Sequence, residues 1–203
     1  MLCTALPPQR AAARRARVIE AARKLFAAKG FHDTGMAQIA CESGIKVGQI
    51  YRDFPSKEAI VAAIVETDFS SFVDTDSLRT AVELGDRGAV LAAIEHLFEP
   101  APCDEIMPEI MAEAARNPRI AEIVGALDAR FRATIAAALA VFAPGESMRP
   151  RREDVAEVIM VLVVGMCQRA VAGAALSDPV RAIITREIDA LASEALASGA
   201  GAR

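Results

Sequence analysis

The stretch from residue 30 to residue 60 constrains the fold of this chain most, because its residues predict two short helices joined by a tight turn. Thr34 is a good N-cap for a first helix that begins near Gly35 or Met36. Gly44 ends this helix, because a residue just past a short helix needs a left-handed conformation that glycine adopts without strain. The stretch therefore predicts a short helix followed by a sharp turn.

The second helix of the stretch is expected from Lys46 or Val47 to about Phe54, and Pro55 stops it. Ile50 and Phe54 turn inward at this spacing, which is that of a helix-turn-helix. The outer surface of the helix is then formed by Lys46, Val47, Gly48, Gln49, Arg52 and Asp53, with Tyr51 at its edge. An exposed face that contains a glycine indicates close approach to a partner.

Several short pieces occur in a fixed order along this part of the chain. They are Lys29-Gly30-Phe31, Thr34-Gly35-Met36 with Ile39-Ala40, Gly44-Ile45, Gly48-Gln49-Ile50-Tyr51-Arg52-Asp53-Phe54 and Pro55-Ser56-Lys57-Glu58. In this order they resemble the TetR/AcrR family of bacterial transcriptional repressors. Each piece alone is a weak signal, whereas all of them together are specific.

Three residues depart from the family pattern. Gly35 stands where a second Thr or Ser is usual, and Lys46 stands where Ser is frequent. Asp53 occupies the position of a His that often contacts a phosphate in the family. Because a carboxylate repels a phosphate, we expect Asp53 to cost one phosphate contact without changing the fold.

The resemblance implies an all-α fold with two domains. Residues 1–55 would form a three-helix DNA-binding domain containing the helix-turn-helix, with residues 1–9 disordered, and residues 56–203 a larger helical bundle for effector binding and dimerisation. Helices are predicted from Arg10 or Ala11 to Ala28 and, capped by Ser56, from Lys57 to about Phe72. Further helices are predicted at 76–84, 87–98, 104–116, 118–142, 152–175 and 179–197.

The distribution of charge agrees with a nucleic-acid partner for the first part of the chain. The formal net charge is −4, but residues 1–60 contain ten Lys and Arg against five Asp and Glu. If the helix-turn-helix binds DNA, one set of residues would bond phosphates: Thr34, Lys46, Tyr51 and Lys57. A second set, Val47, Gln49 and Arg52, would face base edges, with Gly48 on the same face.

Two further sets of residues are predicted in the second domain. Apolar helix faces that could surround an effector cavity carry Phe98, Met107, Met111, Phe131, Met160 and Met166, although plain core is the alternative. The run from Val158 to Cys167 is apolar on nearly every side, so one of its faces is expected to pair with a second copy. The predicted dimer contacts are Val158, Val161 and Gly165.

Signals for an enzyme or a metal site are scarce in the sequence. The two histidines, His32 and His96, are isolated, and the four cysteines have no metal-binding spacing. Glu109 and Glu113 are one helical turn apart, and an exposed acidic face is the simplest interpretation. We therefore predict no enzyme, cofactor or metal. The N-terminus has no secretion signal, so we expect a cytoplasmic protein. The alternative is a helical ligand-binding protein or enzyme with a vestigial helix-turn-helix.

Overall fold

A computed structural model describes residues 7–72, 74–98, 106–171, 173 and 178–200. Within these ranges the regular structure is entirely helical, which confirms the predicted all-α fold. The α-helices are α1 (Pro7–Asp33), α2 (Met36–Ser43), α3 (Val47–Asp53), α4 (Lys57–Phe72), α5 (Thr75–Leu84), α6 (Arg87–His96), α7 (Ile106–Ala114), α8 (Pro118–Ala138), α9 (Arg149–Val171) and α10 (Asp178–Ala200). Short 3-10 turns, Leu139–Val141 and Glu146–Met148, connect α8 to α9.

The first helix differs most from its predicted bounds. It begins at Pro7, because proline at a first helical position loses no hydrogen bond and presets the helical φ. Residues 7–9 are therefore helical, and the prediction of disorder for residues 1–6 lies outside the described residues. Gly30 interrupts α1 with a φ of 83°, and the chain resumes one more turn up to Asp33.

The helix-turn-helix forms as predicted, with one correction at its start. Gly44 has φ 65° and ψ 23°, and the N–H of Ile45 bonds the carbonyl of Ala40 at 3.2 Å. The prediction that Thr34 caps α2 is wrong, since the cap position is Gly35. The hydroxyl of Thr34 instead donates to the carbonyl of Gly30 at 2.9 Å, and its side chain is 0% exposed.

The contacts divide the chain into two units. The N-terminal unit comprises residues 1–68 and 104–125, and the C-terminal unit comprises residues 69–103 and 126–203. This division differs from the predicted boundary at residue 55 because α7 packs on α1 and most of α4 belongs to the same unit.

The C-terminal unit has its own apolar core, formed by residues of α5, α6, α8, α9 and α10, by Phe69 of α4 and by the connection between α8 and α9. In α9 the buried positions include Val155, Ile159 and Val163, which follow one another at helical spacing. The opposite face of α9 is exposed, so one side of this helix is covered within the subunit and the other is not. No helix in the described ranges has the length and apolar character needed to span a bilayer.

The turn glycine offers a direct test of this part of the fold. Gly44→Ala should destabilise the protein by roughly 1 to 2 kcal/mol, because an L-residue resists the left-handed conformation. An added Cβ would also lie 2.9 Å from Nη2 of Arg17. Gly48→Ala is the matched control, since its Cβ would meet open space within a helix and should stabilise by up to about 1 kcal/mol. Urea unfolding of both variants measures the difference, and equal stability would contradict the assignment of the turn.

Candidate nucleic-acid interface

The outer face of α3 is an exposed, largely polar surface. Ile50 and Phe54 are buried beneath the helix, as predicted. The opposite side carries Lys46, Val47, Gly48, Tyr51 and Arg52, all exposed, and Gln49, half-buried. The structure therefore brings together the predicted base-facing residues, whose contact with DNA stays a prediction.

Two of the predicted phosphate contacts are placed differently. Thr34 is buried and its hydroxyl is bonded within the chain, so it does not present an oxygen to a partner. The ammonium of Lys57 donates to the carbonyl of Phe31 at 2.6 Å and lies 4.2 Å from the centre of the Phe31 ring. Lys57 is thus committed to the end of α1. Lys46 and Tyr51 keep the exposed positions that the prediction requires.

Two arginines of α1 cap the C-terminal ends of α2 and α3. Nη1 of Arg15 donates to the carbonyl of Asp53, the last residue of α3, at 2.7 Å. Nη2 of Arg17 donates to the carbonyl of Ser43, the last residue of α2, at 2.5 Å. The last carbonyls of a helix have no partner within it and carry partial negative charge, so cationic donors stabilise both ends.

The carboxylate of Asp53 is held by α1 as well. Nε of Arg14 bonds Oδ2 at 2.6 Å and Nη2 bonds Oδ1 at 2.9 Å, a two-bond ion pair in which both side chains are largely covered. The hydrogen bond from Arg14 holds the pKa of Asp53 below its usual value of about 3.8, and the charges of Arg14, Arg15 and Arg52 act in the same direction. The carboxylate that departs from the family pattern is therefore neutralised within the domain.

Fewer cationic side chains have all their donors available for a phosphate than the sequence count suggests. Of the ten Lys and Arg in residues 1–60, five donate hydrogen bonds to distant residues of the N-terminal unit: Arg14, Arg15, Arg17, Arg23 and Lys57. The sequence shows the arginines of α1 but not the distant carbonyls that they cap. Two features of the sequence could have indicated this role. They are the carboxylate at position 53, where the family pattern differs, and the run of arginines on α1.

The interpretation of Glu109 and Glu113 as an exposed acidic face is wrong. Oε1 of Glu109 accepts the backbone N–H of Phe31 at 2.8 Å. Glu113 is 1% exposed, and its Oε2 lies 3.3 Å from Nε2 of His32 and from Nη2 of Arg116. Both carboxylates face α1, because α7 packs against that helix. They line a cavity of about 10 Å³ together with Phe26, Phe31, Val61, Ile110 and Ile120.

The residues predicted for an effector cavity do not form one cluster within either unit. Phe98, Phe131 and Met160 are buried in the core of the C-terminal unit, and Met166 packs against that core. Met107 and Met111 belong to the N-terminal unit, where Met107 is half-buried and Met111 is exposed. His96 is exposed at the end of α6.

The predicted dimer contacts share the uncovered face of α9. Val158, Val161 and Val164 are exposed, and Val161 has 63% of its surface accessible. A Cβ added to Gly165 would meet nothing within 4 Å. Exposed apolar side chains also occur on α10, at Ile183 and Leu196.

Two family models match the chain. The model described as "Bacterial regulatory proteins, tetR family" matches residues 18–64. The model described as "BetI-type transcriptional repressor, C-terminal" matches residues 86–193, more than half of the chain. The chain belongs to the TetR family of DNA-binding transcriptional regulators.

Individual relatives agree with this membership. HTH-type transcriptional regulator UidR of Escherichia coli (strain K12) is 32% identical over 114 residues, which are 54% of this chain and 56% of UidR. The chain thus spans about half the length of the curated relatives it matches. The solved structure of Salmonella enterica GusR covers 90% of this chain and 93% of its own, with 26% identity and a TM-score of 0.60. A regulator from Saccharomonospora viridis in complex with choline shares the fold at 22% identity and a TM-score of 0.59, covering 88% of this chain and 96% of its own.

The depressed pKa of Asp53 predicts how this TetR-family domain responds to acid. A carboxylate whose pKa is lower in the folded state stabilises the protein above its unfolded pKa and loses that contribution as pH falls through the folded pKa. Asp53→Asn should therefore flatten the loss of unfolding free energy below about pH 4. Arg14→Gln should flatten the same limb, because it removes the partner. Urea unfolding across this pH range is the measurement, and curves parallel to wild type would contradict the ion pair.

Proposed function

We propose that this protein is a homodimeric transcriptional repressor that binds a pseudo-palindromic operator and is released from it by a small apolar or amphipathic ligand. The exposed face of α3 carries the DNA-binding part of the proposal. Gln49 and Arg52 have side chains suited to adenine and guanine edges in a major groove. Because the DNA of a bacterium lies in its cytoplasm, the proposal places the protein there.

Phosphate attraction in this proposal comes from the exposed cations that remain after the caps are formed. Lys46 precedes α3, and its side chain makes no cap hydrogen bond. Arg52 lies near the other end of the same helix. Tyr51, between them on the exposed surface, can donate its phenolic hydroxyl to a phosphate oxygen. Thr34 and Lys57 are left out because both are bonded within the N-terminal unit.

A ligand-responsive repressor is proposed from family membership together with the C-terminal match. That match is to a repressor-type C-terminal domain over residues 86–193. A structural neighbour is in complex with choline, and another, the multidrug binding protein EbrR, is complexed with imidazole. A ligand would act by selecting a spacing of the two recognition helices that no longer matches successive major grooves.

The DNA-binding proposal predicts a division of labour within α3. Lys46→Ala should weaken binding to every duplex about equally and make the log-log salt dependence shallower by about 0.9, the value for one phosphate contact. Gln49→Ala and Arg52→Ala should instead lose discrimination at one or two base pairs per half-site, worth roughly 1 to 3 kcal/mol per two-bond contact.

Selection of binding sites from a random duplex pool, followed by titration between about 50 and 200 mM salt, measures both effects. Lys24→Ala is the matched control, because it removes an exposed cation from α1 without touching α3. Identical selected sites for wild type, Gln49→Ala and Arg52→Ala would place base recognition elsewhere. A flat salt dependence of the wild type would contradict phosphate binding altogether.

The dimer proposal rests on the uncovered face of α9. Exposed apolar side chains cost on the order of 1.5 to 3 kcal/mol each relative to burial, so covering the Val158 and Val161 face with a second copy is favourable. One recognition helix reads few bases, so two half-sites about 34 to 36 Å apart would be engaged together.

Val161→Glu should produce a monomer with an intact helical spectrum and lost operator affinity, because a carboxylate in the apolar contact would be desolvated without a partner. Leu84→Glu is the control: Leu84 is 77% exposed on a different helix, α5, and its replacement should leave the dimer intact. Sedimentation equilibrium decides between the two states. A wild type that is monomeric at micromolar concentration would remove the dimer from the proposal.

A further inference from the structure

The pair between Arg14 and Asp53 has a geometry that exposed ion pairs rarely have. Two parallel hydrogen bonds, at 2.6 and 2.9 Å, join the guanidinium of α1 to the carboxylate at the end of α3. The side chain of Arg14 is 27% exposed and that of Asp53 is 11% exposed. Arg15 adds a bond to the Asp53 carbonyl and lies 4.2 Å from the centre of the Phe54 ring.

These contacts fix the orientation of α3, which its buried side chains alone do not. The helix has only seven residues, too few to be stable alone, and Ile50 anchors it from below. Apolar burial is not directional, so it allows a short helix to rotate or tilt on its support. A two-bond ion pair does impose direction, because both donors must meet both oxygens in one plane.

We infer that Arg14 and Asp53 are a positioning pair that fixes the rotation and tilt of α3, so that Gln49 and Arg52 reach base edges. Neither residue of the pair contacts DNA in this assignment. The inference rests on the proposed DNA-binding function and deepens it, since it adds residues on which sequence discrimination depends although they lie off the recognition face.

Two other roles for these residues predict changes of DNA affinity in opposite directions. If Arg14 were a phosphate contact, its loss would weaken all DNA binding. If Asp53 only reduced the positive charge near DNA, its loss would strengthen all DNA binding. Simple electrostatics therefore gives opposite effects for Arg14→Ala and Asp53→Ala. A positioning pair gives the same effect for both, because either change breaks the same two bonds.

The first experiment compares Arg14→Ala, Asp53→Ala and the double variant in the full-length protein. The probes are the duplex selected by the wild type and a random duplex of equal length. We expect each single variant to lose roughly tenfold in affinity for the selected duplex, within the coupling range of contacting residues. The double variant should lose no more affinity for the selected duplex than either single variant. Affinity for the random duplex should stay within about twofold of wild type, which is a smaller change than the loss of a base contact would cause.

Two results of this experiment would overturn the inference. One is tighter binding of the selected duplex by Asp53→Ala than by the wild type. The other is an equal loss on both duplexes for Arg14→Ala with a salt dependence shallower by about 0.9, which would make Arg14 a phosphate contact.

A second readout needs no DNA and separates this inference from the proposed function. Tyr51, on α3, is the only tyrosine of the chain, and there is no tryptophan. Its fluorescence anisotropy and its quenching by acrylamide therefore report on α3 alone. Arg14→Ala and Asp53→Ala should both lower the anisotropy and increase the quenching, whereas the Lys24→Ala control should match the wild type.

Arg14→Lys keeps the experiment decisive if Arg14→Ala does not fold. Lysine keeps the charge but cannot reproduce the planar two-bond fork, so the Tyr51 signal should still move toward that of Asp53→Ala. A Tyr51 signal equal to wild type in Arg14→Lys and Asp53→Ala overturns the positioning pair whatever the DNA result. A wild type that binds selected and random duplexes equally would overturn the proposed function, while the Tyr51 signal would still decide whether the pair positions α3.

Discussion

The capping of α2 and α3 by arginines of α1 is the interaction on which the rest of the helix-turn-helix depends. Helices of eight and seven residues cannot stabilise themselves, and their last carbonyls have no partners within the helix. Arg15 and Arg17 supply those partners from a long helix whose own face is packed in the domain. The contacts that support α3 therefore come from the side that faces α1, which leaves its outer side chains available to a partner.

A second set of contacts ties the other end of α1 to the same unit. The backbone of Phe31 is bonded on both sides: Glu109 of α7 accepts its N–H, and Lys57 of α4 donates to its carbonyl. Gly30 makes this possible, because its positive φ turns the chain and a Cβ there would lie 3.2 Å from Oε1 of Glu109. Residues far apart in sequence thus meet at one residue, and each is unavailable for the surface role that its charge suggests.

Local signals account for what could be predicted from the sequence. Gly44 and Pro55 gave helix ends within a few residues, because they act through the backbone next to them. Lys57 and Glu113 were misjudged because Phe31 and His32, which they contact, come from distant segments. Thr34 was misjudged because its hydroxyl bonds carbonyls of the preceding helix α1 instead of the start of α2. A one-dimensional pattern gives the face of a helix but not the donor that a neighbouring helix brings to it. The outward face of α3 could be predicted, whereas the arginines of α1 that cap α2 and α3 could not.

The commitment of half of the cations of residues 1–60 to internal bonds has a kinetic consequence. Non-specific affinity for DNA increases with each phosphate that a protein neutralises, and a higher non-specific affinity lengthens the residence time on non-target sequences. We expect a domain whose arginines bond its own helices to leave such sequences sooner. Its search for a rare target would then consist of short visits to many stretches of the chromosome rather than long residence on a few.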